Sequence, residues 1–289
     1  MGAKILDGRK ISQEIREELR GRVEKLKEKG IIPCLAGILV GEDPGSVTYV
    51  NLKEKSAEEI GLRSHMLRLP ESTTQRELLD HIRRLNEDPG VHGIFIQLPL
   101  PSHLDEQEAL NAVLPSKDVD GFHPENVGRA WLGQEAFVPA TPIGIKVLVE
   151  RYGYDFRRKH VVIVNTDNLV GKPLASLLVQ ENVGANVTLC QPDTPDLANF
   201  TRAADILVVA VNRPAFITGD MVKEGVIAID FGYSLVEDPQ TGKKKAKGDL
   251  DFESVKEKAE AITPVPGGVG PMTVTMLLWN TVRAAERAT

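Results

Sequence analysis

Tyr49 and Lys53 stand four residues apart in a stretch that reads as a helix, so their side chains share one face. A phenol and an amine held together could serve proton transfer. The plain structural alternative is a surface Lys whose apolar stem lies along a half-buried Tyr. Gln97 ends an apolar run and precedes Leu98-Pro99-Leu100-Pro101. Ligands of parallel sheets bind at the carboxyl ends of the strands, where such an amide could orient another group. It could equally cap a loop. Asp118 and Asp120 lie in the loop Asp118-Val119-Asp120-Gly121-Phe122-His123-Pro124. A carboxylate there could accept two hydrogen bonds from a planar nitrogen heterocycle, or simply belong to a solvated turn. Pro264, Pro266, Gly267, Gly268, Gly270 and Pro271 crowd one short span, with Val265, Val269, Met272 and Thr273 among them. That composition implies a rigid backbone able to approach a ligand closely. It leads into a helix amino terminus, where free N–H groups can hold electron-rich atoms.

A fifth segment has the strand–turn–helix context of a dinucleotide loop. It reads Val164-Asn165-Thr166-Asp167-Asn168-Leu169-Val170-Gly171-Lys172-Pro173 and lacks Gly-x-Gly-x-x-Gly. Short-chain dehydrogenases share the Tyr-x-x-x-Lys spacing, but their cofactor loop lies upstream of the pair. Here it lies downstream, which sets that family aside.

The elements that must position these residues alternate along the chain. Ile11, Ile15, Leu19, Val23 and Leu26 recur every three to four residues, as on an amphipathic helix. Cys34 to Val40 is a continuous apolar run, a buried strand closed by Gly41-Glu42-Asp43-Pro44-Gly45. Asp43 caps the next helix, with Pro44 first, and that helix stops at Gly61. A strand at 62–69, a helix opening at Thr73 or Thr74, and a strand at 92–98 follow. Gly, Pro and Asn cluster between Asp120 and Thr141, marking a boundary. Beyond it, strands at 161–164, 185–190, 206–211 and 226–229 with a helix at 173–180 outline a doubly wound nucleotide-binding domain. The expected class is α/β with two domains. Residues 1–122 plus 272–289 form an α/β catalytic domain completed by the carboxy-terminal helix, and 140–271 a Rossmann-like domain.

Composition narrows the partners. The 289 residues are 42% hydrophobic, enough for two ordinary cores. Net charge is −6 without a basic stripe, which argues against nucleic acid. The run Lys243, Lys244, Lys245 and Lys247 reads as a solvated hairpin loop. Cys34 and Cys190 each lie in a buried strand, with no Cys-x-x-Cys spacing, so neither a disulfide nor a metal site is expected. No signal peptide core and no apolar run of about 18 residues is present, so no membrane is expected and the cytoplasm is the default.

Together these stretches resemble the bifunctional methylenetetrahydrofolate dehydrogenase/methenyltetrahydrofolate cyclohydrolase family. The resemblance spans essentially the whole chain through Tyr49-Val50-Asn51-Leu52-Lys53-Glu54-Lys55, Gln97-Leu98-Pro99-Leu100-Pro101, Lys117-Asp118-Val119-Asp120-Gly121-Phe122-His123-Pro124 and 264–273. It implies interconversion of 5,10-methylenetetrahydrofolate, 5,10-methenyltetrahydrofolate and 10-formyltetrahydrofolate, using NADP or NAD and no metal, in a homodimer. It also implies roles. Lys53 is the central hydrolytic group, and desolvation would lower its pKa. Gln97 orients it, Tyr49 stacks on the substrate, and Asp120 accepts from the pterin's amino edge. Pro266, Gly267, Gly268, Val269, Gly270, Pro271 and Thr273 line the pterin pocket.

The resemblance also implies that Asn165, Thr166, Asp167, Val170, Gly171, Pro173, Gln191, Asn212, Asp230 and Gly232 bind the cofactor, and the departures from the family pattern fall among these residues and their neighbours. Asn165 stands at a usual Gly; its tolerance of positive φ would keep the turn. Asp167 stands at a usual Ser and puts negative charge near an expected phosphate. Gln191-Pro192-Asp193 replaces residues that usually contact a ribose phosphate, and Asn212 replaces a Gly. Asp230-Phe231-Gly232-Tyr233-Ser234 brings two aromatics near the expected nicotinamide. These changes imply dehydrogenase activity that is reduced, lost or switched to NAD beside an intact hydrolase. Two other classes stay open: a non-catalytic folate-binding protein, and an unrelated dehydrogenase on the same architecture.

Overall fold

The computed structural model describes residues 2–237 and 244–288, which leaves Lys243 outside it. In chain order the elements begin β1 (Lys4–Ile5), α1 (Gly8–Glu28), β2 (Cys34–Val40), α2 (Pro44–Glu59), β3 (Arg63–Leu69), α3 (Gln75–Glu87) and β4 (Gly93–Ile96). There follow α4 (Glu106–Ala112), α5 (Pro124–Trp131), α6 (Ala140–Arg151), β5 (His160–Val164), α7 (Gly171–Leu178), β6 (Asn186–Cys190) and α8 (Leu197–Ala203). The chain ends with β7 (Ile206–Val209), β8 (Ile227–Asp230), β9 (Ser234–Glu237), β10 (Lys244–Lys247), α9 (Phe252–Lys256), β11 (Ala261–Ile262) and α10 (Val269–Arg287). They divide into two compact units, Gln13–Ala140 with Val274–Thr289, and Met1–Ser12 with Thr141–Thr273.

The first unit holds a parallel sheet of order β3-β2-β4. Every residue of β2 is buried, as a central strand covered on both faces requires. Asp43 caps α2 by accepting from the Ser46 N–H at 2.8 Å, with Pro44 in the first turn. Thr74 and Glu77 form a capping box on α3. Gly93 lets the 117–119 segment lie against β4, because a Cβ there would sit 2.6 Å from Val119 Cγ1. Buried Asn280 on α10 donates to the carbonyls of Val119 at 2.8 Å and Val138 at 3.0 Å. The last helix thereby fixes the backbone just before Asp120.

The second unit holds an all-parallel sheet of order β1-β11-β8-β7-β5-β6. Strand order reverses between β5 and β7, the switch point at which doubly wound sheets take ligands. The start of the chain joins this sheet, with Lys4 opposite Ala261 and Ile5 opposite Ile262. Sequence reading had placed residues 1–12 in the catalytic domain. A two-residue strand carries too little periodicity to be seen, and its partner lies at the far end of the chain. Lys244, Lys245 and Lys247 lie on β10, paired antiparallel with β9, and not in a hairpin loop. Cys34 and Cys190 are buried free thiols. Among the described residues no helix is long and apolar enough to cross a membrane. No cluster of three or more His, Cys, Asp or Glu side chains there could hold a metal ion.

Candidate active site

In the first unit, α2 presents Tyr49 and Lys53 one turn apart, and Gln97 follows directly on β4. The Gln97 N–H donates to Ile38 O at 2.9 Å, continuing the sheet ladder by one residue. Its side-chain amide is held from both ends. Gln97 Nε2 donates to Leu98 O at 2.8 Å, and Oε1 accepts from Lys53 Nζ at 3.2 Å. The orientation of the amide is thereby fixed with its acceptor toward the amine. Lys53 Nζ also lies 4.1 Å from the centre of the Phe95 ring. That ring occupies space left by Gly37 on the neighbouring strand, where a Cβ would sit 2.4 Å from Phe95 Cζ. Burial pushes the Lys53 pKa below the ordinary lysine value, and the Asp120 charge opposes the shift without cancelling it. Tyr49 keeps 52% of its surface exposed, an open ring on the same helical face.

The loop after α4 holds two carboxylates with opposite fates. Asp118 is buried, and its oxygens accept from the N–H groups of Gly121, Phe122 and His123 at 2.8–3.2 Å and from Asn126 Nδ2 at 2.9 Å. It folds the loop around itself. Asp120, two residues on, accepts no hydrogen bond within the described residues. Its pKa is raised to about 6, first by burial and further by the Asp118 charge, while Lys53 pulls the other way. A partly buried carboxylate without a donor is short of a partner, and a ligand N–H would supply it.

In the second unit, the β5–α7 turn is built from side chains. Asn165 is not among the non-glycine residues at positive φ, which are Arg158, Asp196, Asn212 and Ala215 among the described residues. The turn instead depends on the Asn165 amide. Its Oδ1 accepts from the N–H groups of Asp167 at 3.0 Å and Gly171 at 2.8 Å, and Nδ2 donates to Ala210 O at 2.7 Å and Asp167 Oδ2 at 2.8 Å. Asn165 therefore joins the carboxyl ends of β5 and β7 across the switch point. Asp167 Oδ1 accepts from Leu169 and Val170 N–H at 2.9 and 2.7 Å, an acid at the start of α7. Gly171 closes on Asn165, where a Cβ would lie 2.2 Å from the Asn165 carbonyl oxygen, and Pro173 is buried one turn on. Thr166, beside them, is partly buried, and Gln191 is exposed at the end of β6.

The loops after β7 and β8 are fastened by a second pair of carboxylates. Asp249, with no exposed surface, accepts from the N–H groups of Val211, Asn212 and Arg213 at 2.5–3.0 Å. This holds Asn212 at φ 54°, a left-handed conformation that Asn tolerates. The Asn212 side chain in turn accepts from Tyr233 N–H at 3.2 Å. Asp230, expected to contact a cofactor, turns inward and accepts from Gly232, Asp249 and Leu250 N–H at 2.8–3.0 Å. Burial raises its pKa to about 6. Gly232 and Gly248 give the two carboxylates room, since Cβ atoms there would lie 2.0 and 2.1 Å from Asp249 and Asp230 atoms.

The 264–273 loop belongs to this second unit. Gly267 sits at φ 113° and its carbonyl accepts from Gly8 and Arg9 N–H. Gly8 and Gly268 approach so closely that a Cβ on Gly8 would lie 1.7 Å from Gly268 O. The Thr273 and Thr141 hydroxyls share a hydrogen bond of 2.9 Å. Pro266 and Gly270 are exposed, Pro271 and Thr273 partly so, and Gly268 and Val269 are buried. Tyr49, Lys53, Gln97 and Asp120 share the first unit, while this loop and the expected nucleotide residues share the second. Sequence reading missed Phe95 and Asp249. Phe95 had one usable signal, a glycine at 37 inside an otherwise bulky strand. Asp249 had none, because its partners lie 36 to 38 residues earlier.

Comparison with known proteins divides the chain near the same boundary, although it counts residues 6–12 with the first domain and 274–289 with the second. Residues 6–120 match the family model of the tetrahydrofolate dehydrogenase/cyclohydrolase catalytic domain, and residues 139–289 that of its NAD(P)-binding domain. The bifunctional protein FolD of Moorella thermoacetica is 52% identical over 287 residues, covering 99% of this chain and 100% of that protein. FolD of Nautilia profundicola is 51% identical over 98% of this chain and 97% of its own length. Among solved structures, the FolD methylenetetrahydrofolate dehydrogenase/cyclohydrolase of Campylobacter jejuni superposes with a TM-score of 0.95 at 48% identity, covering 99% and 100% of the two chains. The Trypanosoma brucei enzyme, solved with NADP and an inhibitor, gives 0.93 at 38% identity, covering 99% and 98%. The chain belongs to the tetrahydrofolate dehydrogenase/cyclohydrolase family.

Proposed function

We propose that this protein interconverts 5,10-methylenetetrahydrofolate, 5,10-methenyltetrahydrofolate and 10-formyltetrahydrofolate. The observation that carries the reading is the amine of Lys53, desolvated and held by Gln97, in one unit with the donor-less carboxylate of Asp120. The β5–α7 turn of Asn165 to Gly171, at the switch point between β5 and β7, would hold NAD(P), which when bound would supply hydride acceptance from the methylene carbon of the substrate. The strand–turn–helix there, with Gly171 closed on Asn165, suits a dinucleotide.

The protein's own groups serve the hydrolytic half. Water adds to the cationic carbon and loses one proton, and one carbon–nitrogen bond then breaks as the new hydroxyl forms the carbonyl and its proton passes to the departing nitrogen, leaving the formyl group on the other nitrogen. A lysine with lowered pKa is neutral for part of the time and can accept that proton, while Gln97 Oε1 keeps the nitrogen from swinging away. Asp120 accepts from the pterin's amino edge, which fills the valence its surroundings leave open. Tyr49 offers an exposed ring for stacking. In this reading Pro266, Gly267, Gly268, Val269, Gly270, Pro271 and Thr273 of the second unit bind the substrate. A cytoplasmic homodimer is part of the same reading, and light scattering tests the assembly.

The test is decay of methenyltetrahydrofolate absorbance without nucleotide. Wild type should accelerate it and Lys53→Met should not. A wild type with no effect on decay defeats the function, and a fully active Lys53→Met protein defeats the role of the amine.

A further inference from the structure

The proposed function leaves open which nicotinamide dinucleotide the second unit takes, and two neighbouring loops speak to it. Val164 at the end of β5 pairs in parallel register with Cys190 at the end of β6. The 165–170 and 191–194 segments therefore leave the same sheet edge side by side. In doubly wound folds the ribose of the adenosine lies at the end of the second strand. An acidic residue there accepts from the 2′-hydroxyl of NAD, whereas an arginine accommodates the 2′-phosphate of NADP.

Here the second strand runs into a closed turn. Gln191 N–H donates to Thr194 Oγ1 at 3.0 Å, and Thr194 N–H donates back to Gln191 O at 3.1 Å. Pro192 and Asp193 form the tip of that turn, with Asp193 exposed. Residues 165–171 and 191–201 contain Asp167, Asp193 and Asp196 and no lysine or arginine. The flanking cations are engaged elsewhere. Lys172 Nζ donates to Asn168 Oδ1 at 2.8 Å, and Arg202 Nε donates to Asp220 O at 2.7 Å. In the loop after β7, the Arg213 guanidinium lies 5.5 Å from the Phe216 ring centre. A 2′-phosphate would bring about two negative charges beside Asp193, and neither segment contains a lysine or arginine to offset them.

We propose that this protein takes NAD in preference to NADP, with Asp193 accepting from the ribose 2′-hydroxyl and the Asp167–Asp193 pair rejecting a 2′-phosphate. This rests on the proposed function, but its test does not share that reading's readout.

Calorimetric titration of the full-length protein with NAD and with NADP should give at least about tenfold tighter binding of NAD. The ratio should shrink as salt rises, since exposed charges are screened within about 10 Å at 0.1 M. The double variant Thr166→Arg/Asp193→Ser should narrow or invert it. Equal or tighter NADP binding by the wild type, no binding of either dinucleotide, or an unchanged ratio in the variant would each overturn the proposal. Methenyl hydrolysis by the same wild-type preparation needs no dinucleotide, so it reports separately on the folate reading.

Discussion

Asp120 and Asp249 are both loop carboxylates withdrawn from water, one in each unit, and their surroundings treat them oppositely. Asp249 accepts three consecutive backbone N–H groups and Asp230 beside it accepts three more. Asp120 accepts none, although Asp118 two residues earlier takes three N–H groups and an amide. A saturated carboxylate has its charge solvated by the chain and can hold a loop in shape. An unsaturated one bears a desolvation cost that only a ligand relieves. The loops after β7 and β8 are thus fastened by self-satisfied acids, and the folate side keeps one acid and one amine in reserve.

The most severe way to break this contrast is to remove the amine. Lys53→Met should lower the rate of methenyl hydrolysis by about 10²–10⁴-fold, the usual weight of one general acid–base group. The circular dichroism spectrum should stay unchanged, because among the described residues the nitrogen's one hydrogen bond is to the Gln97 side chain and no backbone group depends on it. A loss below tenfold would mean that Lys53 is packing and not chemistry.

The acids should part company next. Asp249→Ala removes the acceptor of three backbone N–H groups and should cost about 3 kcal/mol in urea unfolding. Asp120→Ala strands nothing and should cost no stability at neutral pH while losing affinity for folate. Equal stability losses in the two variants would erase the distinction between them.

That distinction was only half legible in the sequence. Tyr49, Lys53, Gln97 and Asp120 could be singled out because each sits at a place the local pattern defines: a helical face, a strand end, a Gly-containing loop. The Asp43 cap and the capping box at Thr74 were equally local. What the sequence hid was long-range. Asn165 looked like a stand-in for glycine that keeps the turn through positive φ, whereas it holds the turn through its side chain, which bonds Ala210, 45 residues on. Asp230 could be read as a cofactor residue, but its part in fastening loops was hidden, because its donors at 249 and 250 come from beyond the β9–β10 pair. The pairing of β1 with β11 joins residues about 260 apart and leaves no periodic trace.

Acid–base behaviour sharpens the comparison further. Asp120 has its pKa raised to about 6 from 3.8, so between about pH 4 and 6 the folded protein holds a proton that the unfolded chain releases. Stability contributed by this group therefore falls as pH rises through that window. Urea midpoints taken from pH 4 to 7 should show Asp120→Ala gaining on wild type with rising pH. A difference that stays flat would mean that Asp120 is solvated after all.

The smallest effect expected is at Phe95, and it separates two accounts of the lysine's pKa. Burial lowers it, but the aromatic face 4.1 Å from Nζ favours the ammonium and opposes burial. A contact of this kind is worth about 0.5–2 kcal/mol, and one pKa unit corresponds to about 1.4 kcal/mol. Phe95→Leu should therefore move the acid limb of the hydrolysis pH profile downward by about half a unit to one unit. If the ring is only filler for the space above Gly37, the variant should lose stability and leave the limb where it was. If the limb moves, the amine is tuned by a residue that never touches the substrate, and the reserve of reactivity on the folate side is set by packing beneath it as well as by Gln97 beside it.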